Sequence, residues 1–389
     1  MLADLHAHYP MHVIRGVEPD TTLERMRQVS GRPRLADKVR ALVLKLLSRV
    51  MSDRDEKSGP RISDQYLRAG DVKLVFSVLY RPFDEMDLGR PYTAPPAAEY
   101  FAGLLEDLEA VERHVGEQDP AVIRIVHDRR ELDQCVADGA IAVVHCVEGG
   151  FHLGDDPAAI AANVKTLADK GVAYITLAHL FFRQVATNAP ALPFLPDPVY
   201  DTLFPQKTSD ALTPRGEAAV RAMVEHGILV DISHMRDDSV KETFALLNEL
   251  DPAGRVPVIS SHAGYRFGDQ EYMHDDATVR EIARREGVIG LILAQHQLND
   301  GVRKRETKKL AESLEVIGKH VDKITALTGD FDHVALGTDF DGFIKPTMGG
   351  LEDMRDMKAL EGGLKHLYGQ KSTAICHDNV LRVLRAAWP

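Results

Sequence analysis

The chain has 389 residues, 44% of them hydrophobic and 27% charged, a balance that fits a soluble globular protein with one large barrel or two ordinary domains. Its formal net charge of -12 excludes the basic face that nucleic acid or an anionic membrane surface would need. Cys135, Cys146 and Cys376 show no CxxC spacing, which leaves neither a disulfide framework nor a thiolate zinc site and fits a reducing, cytoplasmic setting. No apolar run approaches the roughly 20 residues of a membrane helix, and no leader or hydrophobic anchor is expected at either end.

Short apolar, β-branched runs recur along the chain. Met1 to His8 is the first and Val72 to Tyr80 the second. Between them Arg25 to Arg54 is basic and amphipathic, with Leu35, Val39, Leu42, Val43, Leu46 and Leu47 at helical spacing, so residues 20–60 read as a helical insertion serving as a cap or dimer surface. A helix over Ala97 to Val115 precedes the strand Ala140 to Val147, and a helix over Pro157 to Lys170 precedes Val172 to Ala178. The Pro-rich segment Pro190 to Pro205 reads as a long loop over an active site. Helices over Pro214 to His226, Asp237 to Leu250, Asp276 to Arg285 and Arg305 to Thr328 alternate with the strands Ile228 to Ser233, Val256 to Ser261, Val288 to Ala294 and Val334 to Thr338.

Strand followed by helix, eight times over, predicts an α/β fold, a (β/α)8 TIM barrel in one domain spanning 1–389. Nearly continuous apolar strands are those of a parallel sheet covered on both faces.

Barrel enzymes carry their chemistry at the C-terminal ends of the strands, so the residue closing each run is the place to look. In Asp4-Leu5-His6-Ala7-His8 the two imidazoles share one strand face while Leu5 and Ala7 point the other way. Strand three closes on Glu148, strand four on His179, strand five on His234, strand six on His262 and strand eight on Asp339. Histidines and carboxylates at six of eight strand ends predict a metal site. Asp339 is preferred to Asp341 as a functional acid because it lies at the strand end. His12, His114, His226, His320 and His366 fall in loops or helical patterns and are expected at the surface.

Several motifs together resemble the membrane (renal) dipeptidases, zinc peptidases of the amidohydrolase superfamily. They are Val147-Glu148-Gly149-Gly150, Leu212-Thr213-Pro214-Arg215-Gly216, Val230-Asp231-Ile232-Ser233-His234, Ser260-Ser261-His262, Gly337-Thr338-Asp339-Phe340-Asp341-Gly342 and His377-Asp378-Asn379-Val380-Leu381-Arg382. The resemblance implies two zinc ions per chain, one on His6 and His8, the other on His234 and His262, with Glu148 bridging. It implies that a hydroxide shared by the ions attacks an amide carbonyl, that His179 meets the substrate and its oxyanion, and that Asp339 moves the proton. The implied substrate is a small amide, a dipeptide first, and a homodimer fits an enzyme of this kind.

Two departures mark the chain as a divergent member. His8 stands where the family usually has Asp, and the segment Glu271-Tyr272-Met273-His274-Asp275 lacks the Arg that the family uses on the substrate carboxylate. Arg266 and Tyr272 are the nearby residues expected to bind substrate. These changes keep open another binuclear hydrolase acting on a lactone, cyclic amide or N-acyl amino acid, and a non-catalytic metal-binding barrel as the remaining class.

Overall fold

The computed structural model describes residues 1–13, 60–85, 94–193, 195–342, 344 and 346–388. The insertion expected at 20–60 lies outside the described residues but for its last position.

Among the described residues nine strands form one parallel sheet. They are β1 (Leu2–Ala7), β2 (Val72–Leu79), β3 (Ile123–Ile125), β4 (Ile141–Glu148), β5 (Tyr174–Thr176), β6 (Leu229–Asp231), β7 (Val258–Ala263), β8 (Val288–Leu291) and β9 (Val334–Leu336). Eight of them run in the order β1-β2-β4-β5-β6-β7-β8-β9. The ring closes where Ala7 pairs with Phe340 and where Asp339 N–H donates to His6 O at 2.9 Å. This is the (β/α)8 barrel that the alternation of runs predicts.

β3 was not expected from the sequence. Its three residues carry Arg124 at the centre, too short and too polar to stand out as a run. It pairs with the first half of β4 through Ile123, Arg124 and Ile125, on the edge whose second half pairs with β5 through Val147 and Glu148.

β4 explains itself residue by residue. All eight of its side chains are buried, as a strand covered on both faces must be, and each large aliphatic group so buried contributes roughly 1.5–3 kcal/mol. Alternation along the pleat places Glu148 and Cys146 on one face and His145 and Val147 on the other.

The helices Pro157–Asp169, Pro214–His226, Asp237–Leu250 and Asp276–Arg284 fall where the apolar spacing predicts them. Thr213 caps one of them by accepting from the N–H groups of Arg215 and Gly216, with Pro214 at the first helical position. The helix expected from Arg305 begins at Leu310, and the expected loop Pro190–Pro205 contains the helix Asp197–Leu203. Helices Asp64–Ala69, Arg129–Asp138, Met357–Tyr368 and Asn379–Ala387 complete the outer layer. Among the described residues no helix is long and apolar enough to cross a membrane.

Candidate metal centre

Seven of the residues singled out by sequence converge at the C-terminal mouth of the barrel. Glu148 is fully buried at the end of β4, and neither of its oxygens has a hydrogen-bond partner. Around it stand five imidazoles: His6 Nε2 lies 3.3 Å, His234 Nε2 3.5 Å and His262 Nε2 3.4 Å from Oε1, while His8 Nε2 lies 3.4 Å and His179 Nε2 3.3 Å from Oε2. Asp339 Oδ1 is 3.1 Å from His8 Nε2 and 3.8 Å from His6 Nε2.

Those separations fit metal ligation. Bonds of about 2.1 Å at tetrahedral angles place neighbouring ligand atoms about 3.4 Å apart, longer than a hydrogen bond and close to the spacing around Glu148. Two trios meet the requirement and share one carboxylate: His6, His8 and Glu148, and Glu148, His234 and His262. A third, His6, Asp231 and His262, does not, because Asp231 is already saturated. Its carboxylate accepts from Thr176 Oγ1, Ser261 Oγ, Ser233 Oγ and the N–H groups of Ser233 and Ser261.

The layer behind the ligands fixes their tautomers. Tyr174 donates its hydroxyl proton to Leu5 O at 2.9 Å, so the 2.8 Å contact with His6 Nδ1 requires Nδ1–H to donate and leaves the Nε2 lone pair facing Glu148. Ser261 does the same for His262: its hydroxyl donates to Asp231 Oδ2 at 2.6 Å and accepts from His262 Nδ1 at 2.8 Å. A ring N–H held by an outer partner is the usual arrangement of a metal-bound histidine. Tyr174 was not singled out from sequence, and Asp231 and Ser261 entered only as members of motifs with no role of their own, since each reads there as an ordinary strand residue.

Charge makes the same demand. Burial disfavours the Glu148 carboxylate, but the His179 and His6 imidazoles hold its pKa well below the usual range. Burial likewise opposes a cation on His6, yet Glu148 and Asp339 raise its pKa. The site calls for positive charge between imidazole and carboxylate, which a proton or a metal ion can supply. His262, buried and facing His6 and His234, has its pKa well below normal and is a neutral donor.

His179 has a different setting. Its Nδ1 pairs with Glu85 Oε2 at 2.8 Å, and Glu85 also accepts from Tyr80 Oη at 2.7 Å and from Phe181 N–H at 2.9 Å. Against the effect of burial, Glu148 and Glu85 raise the His179 pKa to about 9. Glu85 was missed because it lies six residues past β2 on the four-residue helix Pro82–Glu85 and not at a strand end.

Backbone strain gathers at the mouth. His234 (φ 64°) and Asp339 (φ 58°) adopt left-handed conformations that non-glycine residues reach only at a cost. A Cβ on Gly342 would stand 2.0 Å from Asp339 Oδ1, so only glycine admits the acid there. Asp341 is engaged elsewhere, accepting from the N–H groups of Arg61 and Ile62 at 3.1 Å.

Two expected substrate contacts are already occupied. Arg266 forms a two-pronged pair with Asp237 at 2.6 and 2.8 Å and donates to the carbonyls of Met273 and Glu271, so a substrate carboxylate would have to displace Asp237. Tyr272 is buried, donates its hydroxyl to His262 O at 2.9 Å and packs edge-on against His234, which makes it a wall behind the ligands. His320, expected at the surface, is fully buried between Tyr265 N–H and Leu298 O.

Known proteins place this geometry in context. The chain resembles a dipeptidase of Claviceps purpurea, 23% identical over 68% of the chain and 55% of that protein, so the match spans about half of the fungal relative. It is 24% identical to a Klebsiella pneumoniae protein encoded beside pqqA, over 68% of the chain and 89% of the relative. Among solved structures it superposes on a Rhodobacter sphaeroides metallopeptidase bound to a phosphinate mimic of L-Ala-D-Ala, with TM-score 0.70, 18% identity and coverage of 100% and 99% of the two chains. It superposes on a Pseudomonas aeruginosa probable dipeptidase, PvdM, with TM-score 0.65, 16% identity and coverage of 90% and 98%. The family model for membrane dipeptidases matches residues 23–388, and the chain belongs to that family of metallopeptidases, peptidase family M19.

Proposed function

We propose that the protein is a dipeptidase with two zinc ions at the barrel mouth. The observation that carries this reading is the Glu148 carboxylate, buried and unpartnered among five imidazole nitrogens at 3.3 to 3.5 Å. His6, His8 and Glu148 would hold one ion and His234, His262 and Glu148 the other. When bound, the ions would supply Lewis acidity and lower the pKa of water at the site toward neutrality.

The chain's own groups do the rest. His179, kept protonated by Glu85, donates its Nε2–H to the carbonyl oxygen as negative charge grows there. Asp339, with its side chain 10% exposed beside His8, takes the proton of the attacking water and delivers it to the leaving nitrogen. Strain at Asp339 and the close approach of Gly342 keep that carboxylate in place.

A purified preparation assayed for zinc and for hydrolysis of a dipeptide panel, including substrates with a D-residue at the second position, tests the proposal. Zinc-dependent cleavage is expected; an enzyme full of zinc that leaves the whole panel intact would overturn it. The commitment of Arg266 to Asp237 favours a second reading, a lactone or cyclic amide hydrolase, because such substrates need carry no α-carboxylate; an N-acyl amino acid keeps that carboxylate and is not favoured by this contact.

A further inference from the structure

A second group of ligand-type side chains lies on the opposite face of β4 from Glu148. Glu112 comes from the helix Glu99–Gly116, His127 from the turn after β3, and His145 from the middle of β4. One donor atom from each lies within 4.8 Å of the other two. Glu112 Oε1 is 3.1 Å from His127 Nε2 and 3.5 Å from His145 Nε2.

His127 is preset as a ligand. Its Nδ1 lies 3.0 Å from Glu131 Oε2, an oxygen that also accepts the His127 backbone N–H at 3.0 Å. With Nδ1–H given to Glu131, Nε2 faces Glu112 Oε1 at 3.1 Å, a contact that a second ring proton or a bound cation satisfies.

His145 is the second observation. It is fully buried, and neither ring nitrogen makes a hydrogen bond. Burial holds its pKa below the usual imidazole value, and the neutral ring protonated at Nδ1 presents the Nε2 lone pair toward Glu112. Coordination through Nε2 would give that buried atom the partner it lacks.

We propose that Glu112, His127 and His145 form a second divalent transition-metal site, of the zinc class, on the outer wall of the barrel. Two imidazoles and one carboxylate suit zinc and not magnesium or calcium, which favour all-oxygen shells. The side chains of Glu112 and His127 are 39% and 38% exposed, so the ion arrives from solvent and water completes its shell. Once bound, it ties the helix Glu99–Gly116 and the β3–β4 connection to the strand that presents Glu148.

The site is independent of the chemistry at the mouth and is tested on the metal-loaded enzyme. Wild type, Glu112→Gln and His127→Gln are titrated with Zn2+, and bound metal per chain and thermal midpoint are measured. Both substitutions fall on partly exposed side chains, so folding is retained. Wild type is expected to hold one more equivalent than either variant, with Zn2+ affinity at that site reduced more than about tenfold on loss of a ligand and peptidase activity unaltered. Glu148→Gln, which weakens the mouth, is expected to keep the outer equivalent. Equal metal content and equal thermal response to Zn2+ in wild type and both outer variants would overturn the proposal and leave His127 as a hydrogen-bonded bridge between two glutamates.

Discussion

Glu85 Oε2 holds His179 Nδ1 at 2.8 Å while the opposite nitrogen of the same ring stands 3.3 Å from Glu148 Oε2. Glu85 therefore orients the imidazole that faces Glu148, and Glu148 and Glu85 together raise its pKa to about 9 against the effect of burial. Glu85→Gln is expected to lower kcat by about 10–100-fold with KM and zinc content little changed, the pattern of an interaction made only in the transition state. Steady-state kinetics with parallel metal analysis checks this. A wild-type kcat in the variant would remove His179 from the mechanism.

Glu148 is shared by both candidate metal trios, so its loss should damage both at once. Glu148→Gln is expected to hold less zinc at the mouth and to lose more than about a hundredfold in activity. Chelation of the wild type should abolish activity, and added Zn2+ should restore it. Unfolding in urea should show about 4 kcal/mol of added stability at a free metal concentration a thousand times its Kd.

The convergence of these side chains was legible because barrel strands end at one common mouth: His6, Glu148 and His262 lie on the strands themselves, and His234 and Asp339 lie three residues past β6 and β9. What surrounds them was not. Glu85 sits on a connecting helix whose path depends on tertiary packing, and Asp231 looks like any polar residue in a buried strand until Ser233, Ser261 and Thr176 converge on it. His320 looked exposed because a helical period says which residues share a face, not how deep that face is buried. β5, β6 and β9 each ladder over only three residues, shorter than their apolar runs, because the chain leaves the sheet early to bring its terminal residues into the mouth.

His320 gives a pH prediction. Burial lowers its pKa to about 4, since Nδ1 accepts from Tyr265 N–H and Nε2–H donates to Leu298 O, leaving no place for a second proton. The unfolded chain takes up that proton near pH 6.5 and the folded one only near 4. Stability from this group is therefore complete above about pH 6.5 and is lost as pH falls toward 4, by about 3 kcal/mol in all. His152, His274 and His296 are likewise lowered to about 4 by burial and act in the same direction. Urea unfolding across pH 4–7 should show a shallower decline for His320→Gln than for wild type, on a lower plateau. Parallel curves would contradict the assignment.

Asp231 supports the mouth without facing it. Five donors converge on its buried carboxylate, and through Ser261 it sets the tautomer of His262. An amide at this position turns its NH2 either toward the backbone N–H groups of Ser233 and Ser261, which cannot accept, or toward Thr176 Oγ1 and Ser261 Oγ, which must then give up their donation to accept. Asp231→Asn is expected to cost about 2–4 kcal/mol of stability and to weaken zinc binding about 10–100-fold. Denaturant unfolding and a zinc titration measure the two effects separately, and a variant as stable as wild type would show that the network rearranges freely.

His8 is one of the two positions at which the sequence reads as departing from the dipeptidase pattern, and its contacts show what an acid there would alter. Its Nε2 stands 3.1 Å from Asp339 and 3.4 Å from Glu148, so an imidazole lies between two carboxylates. His8→Asp would place a third acidic group beside them. Without metal those charges repel in a buried setting, and the apo form should melt at a lower temperature than apo wild type. With zinc the added negative charge strengthens binding, so the gap between apo and holo melting temperatures should widen. Thermal melts of both proteins with and without chelator decide the matter. An unchanged gap would mean that His8 contributes shape and not charge to the first ion's site.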